Sequence, residues 1–225
     1  MEQATSIIGK AISLQTLRNY LRKAGYRYKR MRLSLKEKRD EILYELFKEE
    51  LTTLKQLEDK GEIDLYFFDE MGITLTAKVG YAWQPIGKTV CLPATRSKSL
   101  TTLGFVNRAM DLQSFIFKGA ANSEVVIACM NEFASQIKKK TIVIMDNASA
   151  HKSKAFMQNL KRWKQQELYI QFIPAYCPEL NLIERLWKHI KYQCLPIEAY
   201  TNLETLEKHL NEVVLNIKKY QFNFY

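Results

Sequence analysis

At 225 residues, 47% hydrophobic and 12% aromatic, the chain is long enough for one good core and a small extra module. Eight Gly and five Pro are too few, beside so many aromatics, for a disordered or fibrous protein. The formal net charge is +10, and its placement matters more than its size. Between Arg18 and Arg39 stand ten Lys or Arg against one acid, Glu37, so this segment holds +9 of the total. A segregated basic stripe is the footprint of a polyanion partner, nucleic acid first, with a solvated basic linker as the plainer alternative.

Cys91, Cys129, Cys177 and Cys194 are scattered, without the C-x-x-C pairs or His spacing of a zinc site. Reduced structural thiols are therefore expected. The opening MEQATSIIGKAISLQ lacks the long apolar core of a signal peptide, and no run approaches a membrane span. These features predict a cytoplasmic protein without a membrane partner.

In chain order, Leu14, Leu17, Leu21 and Ala24 have helical spacing over residues 13–24, with Ser13 as N-cap and Gly25 as the stop. The other face offers Gln15, Thr16, Arg18, Asn19 and Arg22, side chains suited to base edges and phosphates. It reads either as the recognition helix of a helix-turn-helix or as the polar face of a small bundle. Twelve residues precede it, fewer than the helices that normally brace such a motif require. Residues 26–39, YRYKRMRLSLKEKR, have no apolar stripe and read as a DNA-tracking linker, with Arg27, Lys29, Arg30 and Arg32 on phosphates. Residues 37–59 then form an amphipathic helix through Ile42, Leu43, Leu46, Phe47, Leu51, Leu54 and Leu57, a stripe expected to pack in the core.

From Asp64 the pattern changes to strands. Leu65–Phe68 is an apolar run expected to end on Asp69, with the following GITLTAKVGYAWQPIGKTV a hairpin or extended insertion. Short strands are predicted at Thr101–Val106 and Gln113–Phe117, a helix at Asn122–Lys139, and a buried strand at Thr141–Met145 that stops on Asp146. A helix near 153–166, a strand at 168–173, a helix carrying Glu184 and a closing helix at 202–219 complete the order. This succession argues an α/β domain with a mixed sheet covered by helices. The expected division is 1–33, a partial helix-turn-helix and basic segment, 34–60, a linker helix, and 61–225, the α/β domain.

Two acids ending apolar strands and a third on a later helix place Asp69, Asp146 and Glu184 at one edge of a sheet. Oxygen ligands so delivered suit a pair of Mg²⁺ ions, which accept carboxylates while keeping water and phosphate oxygens. Short Asp suits a strand end, and longer Glu suits a flanking helix. Glu70 is expected on the opposite face by alternation, and Glu179 before its helix, where the dipole alone favours an acid. Asp64 begins its strand and is expected in solvent. His151 reads as a phosphate contact, as a support to a metal ligand, or more plainly as a His bonding its own loop.

The blocks FFDE (67–70), IVIMDNASAHKS (142–153) and FIPAYCPELNLIERLWKHIK (172–191) resemble those of DDE transposases of the mariner superfamily and its bacterial insertion-sequence relatives. The third block is the most specific: Pro178, Leu180, Asn181, Ile183, Glu184, Leu186 and Trp187 match the pattern Pro-x-Leu-Asn-x-Ile-Glu-x-Leu-Trp. Gly80 to Gly87, with Trp83 and Pro85, resembles the segment after the first Asp. The resemblance covers roughly residues 60 to 220, and more loosely 13–39. It implies a ribonuclease-H-like fold with Asp69, Asp146 and Glu184 as ligands of Mg²⁺, for which Mn²⁺ substitutes. Asp146 would bridge both ions, and Asp69 and Glu184 would each hold one. It further implies cleavage at transposon terminal inverted repeats, strand transfer into target DNA, and a homodimer in the bacterial cytoplasm, on the nucleoid when bound. The family's N-terminal DNA-binding region is longer than the one here, so the alternative expectation is a truncated, non-catalytic DNA-binding fragment that regulates or inhibits transposition.

Overall fold

A computed structural model describes residues 9, 13–28, 36–75, 86–87, 98–220 and 222. The chain divides into two compact units, Met1–Glu37 and Lys38–Tyr225. The first contains α1 (Leu14–Lys23), capped by Ser13 Oγ accepting from the Thr16 N–H, with Gly25 at φ +83° just beyond its end. No residue of α1 is buried.

The second unit opens with α2 (Glu41–Asp59), N-capped by Asp40, which accepts from Ile42 and Leu43 N–H. The sequence stripe predicts core packing along the whole helix, but its N-terminal part does not deliver it. Phe47 and Leu51 are buried, whereas Ile42, Leu43 and Leu46 are exposed. The far end of α2 is tied down by Arg108, which bonds Glu58 at 2.9 Å and Asp59 at 2.8 Å.

Five strands follow: β1 (Asp64–Thr74), β2 (Ser99–Asn107), β3 (Leu112–Lys118), β4 (Thr141–Met145) and β5 (Leu168–Phe172), in the order β3-β2-β1-β4-β5. β1, β2 and β3 form an antiparallel meander, while β4 and β5 run parallel to β1. Asp69 does not end β1, as the apolar run suggested. Met71, Ile73 and Leu75 continue the buried alternation, and β1 pairs with β2 as far as Thr74↔Ser99. Residues 76–85 and 88–97, with Trp83, Pro85 and Cys91, lie outside the described residues.

Helices cover both faces. α3 (Ser123–Ser135) and α4 (Lys154–Gln165) pack Val126, Met130, Phe133, Phe156 and Trp163 against Phe68, Leu103, Phe105 and Val143. α3 stops short of Lys139, capped at Gln136, because the chain must turn there into β4. On the other face α5 (Leu182–His189) and α6 (Leu203–Leu215) meet Leu65, Phe67, Met71 and Ile144. Ile183, Leu186, Trp187 and Ile190 form the buried stripe of α5 and the π-turn after it.

α5 approaches the sheet closely at Gly104. A Cβ built there would lie 2.6 Å from Cη2 of Trp187 and 3.4 Å from Cδ1 of Ile183. Glycine thus lets the indole approach β2 closely. Gly104→Ala is expected to cost about 1–3 kcal/mol by overpacking, and Trp187→Phe in the same chain should recover part of it. Urea denaturation of the three variants measures this, and an unaltered Gly104→Ala midpoint would contradict the contact.

Candidate active site

The site is built on register. In the parallel pair β1–β4, Asp64 stands opposite Thr141 and Phe67 opposite Ile144. Carried two residues further, that register sets Asp69 level with Asp146, just past the end of β4. Alternation puts both on the sheet face of Phe67 and Ile144, the face covered by α5. Glu184 lies in the first turn of α5, its side chain 35% exposed, with Lys188 Nζ 3.6 Å away. The register thus sets Asp69 and Asp146 level on one face, and the charge of Glu184 acts on Asp69 from the helix that covers it.

Their electrostatics agree with that proximity. Burial first, and then the negative charges of Glu184 and Asp146, push Asp69 from an ordinary 3.8 up to about 8, against one favourable bond from the Glu70 N–H. Asp146 moves the other way. Its carboxylate accepts from His151 Nδ1–H at 2.8 Å and from the Ala148 N–H at 3.2 Å, which hold it below the usual range. His151 is 4% exposed and packs edge-on to Phe68. It bonds its own loop at the Asp146 carbonyl, 3.3 Å, and also grips the Asp146 side chain.

Two asparagines lock the frame. Asn147 donates to the Ile173 carbonyl at 2.7 Å, tying the end of β4 to the end of β5. Asn181, 2% exposed, donates to the Phe68 carbonyl at 3.0 Å and so fixes the start of α5 against β1, next to Asp69. Its Oδ1 is buried and has no hydrogen-bond partner among the described residues. Sequence reasoning used Asn181 only as part of a pattern, and nothing in the sequence marked Asn147 as a strut. Between these elements lies a cleft of about 390 Å³ lined by Asp146, Asn147, Tyr176, Asn181 and Glu184 among others.

The competing acids have other engagements. Glu70 is exposed. Asp64 pairs with Lys139 at 3.0 Å. Glu179 does more than favour a helix dipole: it sits in the turn Pro178–Leu180 and receives Arg39 at 2.7 Å, whose guanidinium also lies over Tyr44. Arg39, counted in the basic stripe, is thus committed to an ion pair inside the second unit. Of the expected nucleic-acid contacts, Gln15, Arg18, Asn19, Arg22 and Arg27 are exposed, with Gln15 bonded to Asn19 at 3.1 Å. Lys29, Arg30 and Arg32 lie outside the described residues.

Residues 64–207 match the family model of the DDE superfamily endonucleases, nearly two thirds of the chain. The chain belongs to this family. Among solved structures, its fold is similar to the Mos1 transposase paired-end complex with the left transposon end, at TM-score 0.67 and 18% identity. That match covers 96% of this chain and 66% of that one, so the chain spans just under two thirds of the relative. The mariner Mos1 paired-end complex with Mg matches at TM-score 0.65 and 17% identity, over 95% and 66% of the two chains. The isolated catalytic domain of Mos1 mariner transposase matches at TM-score 0.51 and 14% identity, over 84% of this chain and 86% of that one. No curated protein matches by sequence. The five-stranded mixed sheet flanked by helices is accordingly a ribonuclease-H-like fold. Among the described residues no helix is long and apolar enough to cross a membrane.

The donor set in this family member is all oxygen, which suits a hard divalent cation. Among the described residues no three His, Cys, Asp or Glu side chains stand close enough together to hold a metal ion between them. Mg²⁺ characteristically binds through one or two carboxylates, completing its shell with water and phosphate oxygens. The raised Asp69 and the orphaned Asn181 Oδ1 are groups that a cation and its waters would satisfy.

A consequence for stability follows from Asp69. Between pH 3.8 and about 8 the folded chain retains a proton that the unfolded chain has lost. The advantage of the neutral carboxyl is complete below 3.8 and is lost as pH rises through about 8. In chelator, Asp69→Asn should therefore out-melt the wild type at pH 8.5 by at least about 1 kcal/mol, roughly 2–4 °C, and lose that lead by pH 4. Parallel pH profiles for the two proteins would sink the picture of a crowded, buried carboxyl.

Proposed function

We propose that the chain is a transposase of the mariner superfamily's bacterial insertion-sequence branch. It cleaves DNA at the terminal inverted repeats of a mobile element and transfers the strand to target DNA. The observation that carries this reading is the meeting of Asp69, Asp146 and Glu184 on one face of the sheet, inside the segment that matches the DDE family. The third-block residues Pro178 to Trp187 support the branch. The Mos1 paired-end and strand-transfer complexes support transposon ends and target DNA as partners, and two ends would be held by two copies of the chain, a homodimer.

Asp69, Asp146 and Glu184 would hold Mg²⁺ or Mn²⁺, as the Mos1 complexes with Mg and Mn support. When bound, the metal pair supplies a polarised water or 3′-hydroxyl and offsets charge on the leaving oxygen. The remaining work falls to the chain. His151 and the Ala148 N–H hold Asp146 ionised in one orientation. Asn181 and the apolar stripe beneath Glu184 fix the height of α5, so a long flexible acid starts from a rigid base. Gln15, Arg18, Asn19, Arg22, Arg27, Lys29, Arg30 and Arg32 would grip the element's ends.

Two acids five residues apart separate the roles. Glu184→Gln keeps the shape but removes the charge that offsets a divalent cation, and should abolish nicking of a substrate carrying the element's ends while folding and DNA binding persist. Glu179→Gln loses the Arg39 pair and should melt slightly lower while cleaving within a small factor of wild type. If Glu179→Gln kills cleavage and Glu184→Gln does not, the third ligand is wrongly assigned.

The basic segment makes a separate prediction. Removing residues 18–35 deletes seven Lys or Arg yet leaves Arg39 in place. If even half of them neutralise phosphates, the slope of log affinity against log salt should flatten by roughly 3. Titrations of a labelled duplex at several salt concentrations read this directly, and an unchanged slope would reduce the stripe to a solvated linker.

A further inference from the structure

We propose that Tyr176 is a stacking platform for an unpaired base beside the phosphodiester being cut, an inference that rests on the cleavage reading above. Tyr176 lies between β5 and the Pro178–Leu180 turn and lines the same cleft as Asp146 and Glu184. Its backbone is left-handed, at φ +63°. Bulky aromatic residues rarely adopt that conformation, and Gly or Asn would adopt it with less strain.

Among the described residues the side chain makes no polar or ring contact that would offset that strain. Tyr176 is 45% exposed, whereas Ile173, three residues before it, and Cys177, just after it, are each 2% exposed. Among the described residues no hydrogen bond, cation or neighbouring ring engages it. Nor is the conformation the accident of a slack loop, since both ends are pinned. The Ile173 N–H donates to the Met145 carbonyl at 2.8 Å, and Asn147 bonds the Ile173 carbonyl at 2.7 Å. On the far side the Leu180 N–H donates to the Cys177 carbonyl at 3.1 Å. The frame that positions the carboxylates also positions the ring. Backbone outliers held this firmly cluster at sites that act on a ligand.

The chemistry of the cleft narrows the ligand. Carboxylates that work on a phosphodiester receive a strand whose phosphates come with bases attached. A paired base is already stacked in its duplex, so only an unpaired one is free to lie on the tyrosine. Stacking of this kind accepts any base, because every base has a π face. Tyr176 would therefore hold the strand at a frayed or nicked end without reading its sequence.

The test uses a duplex with a four-nucleotide 3′ overhang carrying 2-aminopurine, beside a blunt duplex of the same sequence, in Ca²⁺ so that the strand is held uncut. Wild type and Tyr176→Phe should quench the fluorophore and bind the overhang alike. Tyr176→Leu and Tyr176→Asn should lose the quench and bind the overhang about 10-fold more weakly. All four should bind the blunt duplex equally. Tyr176→Asn should melt no lower than wild type, since Asn tolerates the left-handed backbone. Quenching that persists in the Leu and Asn variants overturns the proposal, as does equal weakening on the blunt duplex. A Tyr176→Asn melt several degrees lower would do the same, because the ring would then be serving the fold. Failure of the cleavage reading looks different: a wild type that neither binds either duplex nor nicks supercoiled plasmid in Mg²⁺. Failure of stacking alone leaves wild-type binding and nicking intact.

Discussion

The parallel pairing of β1 with β4 is the constraint on which the site depends. Because Asp64 faces Thr141 and Phe67 faces Ile144, the two aspartates are set level on one face by backbone hydrogen bonds well away from either carboxylate. A slip of one residue would turn one of them to the opposite face. The register is itself held by burial on both sides of the sheet, with Phe67 and Ile144 in one core and Phe68 and Val143 in the other. The hydrophobic pattern therefore aims the chemistry. Like charges brought together this way repel, and only a frame stabilised elsewhere can keep them close.

The third acid is delivered by a different device. Glu184 rides on a helix whose position is set from below by Trp187 lying on Gly104 and from its start by Asn181 bonded to the Phe68 carbonyl. That bond reaches the residue next to Asp69, so the helix start and the first aspartate share one anchor. A short helix of eight residues would not hold such a position by its own hydrogen bonds. Its stability comes from the buried stripe, which explains why an exposed, mobile type of side chain can be used for a placed role.

What was legible in the sequence was what periodicity and strand ends encode. The stripe Ile183, Leu186, Trp187 and Ile190, the strand stopping before Asp146, and the cap at Ser13 all follow from local pattern. Where pattern failed, a tertiary partner had decided the matter. β1 runs past Asp69 because β2 extends to receive it, and nothing local announces a partner some thirty residues on. The exposed Ile42, Leu43 and Leu46 belong to the same helical stripe as buried Phe47 and Leu51, and local spacing does not tell the two groups apart. Arg39 looked like one more phosphate contact until the fold brought Glu179 beside it, 140 positions later. Side-chain struts such as Asn147 leave no periodic trace at all.

The two aspartates are pushed in opposite directions, and the cause lies in how each meets the protein. Asp146 is half exposed and stands just past a strand end, where a buried His and a loop N–H both donate to it. Asp69 is embedded mid-strand, between β2 and the end of β4, with one backbone donor and three acids, Glu184, Asp146 and Glu70, nearby. Near neutral pH one carboxylate is thus firmly charged while its neighbour holds a proton that burial and repulsion make hard to release. A single position in the sheet could not provide both states, because the strand interior that fixes Asp69 so well also strips it of water. Ending β4 one residue before Asp146 frees that acid to gather its own donors, and the difference in length between two neighbouring strands becomes a difference in charge.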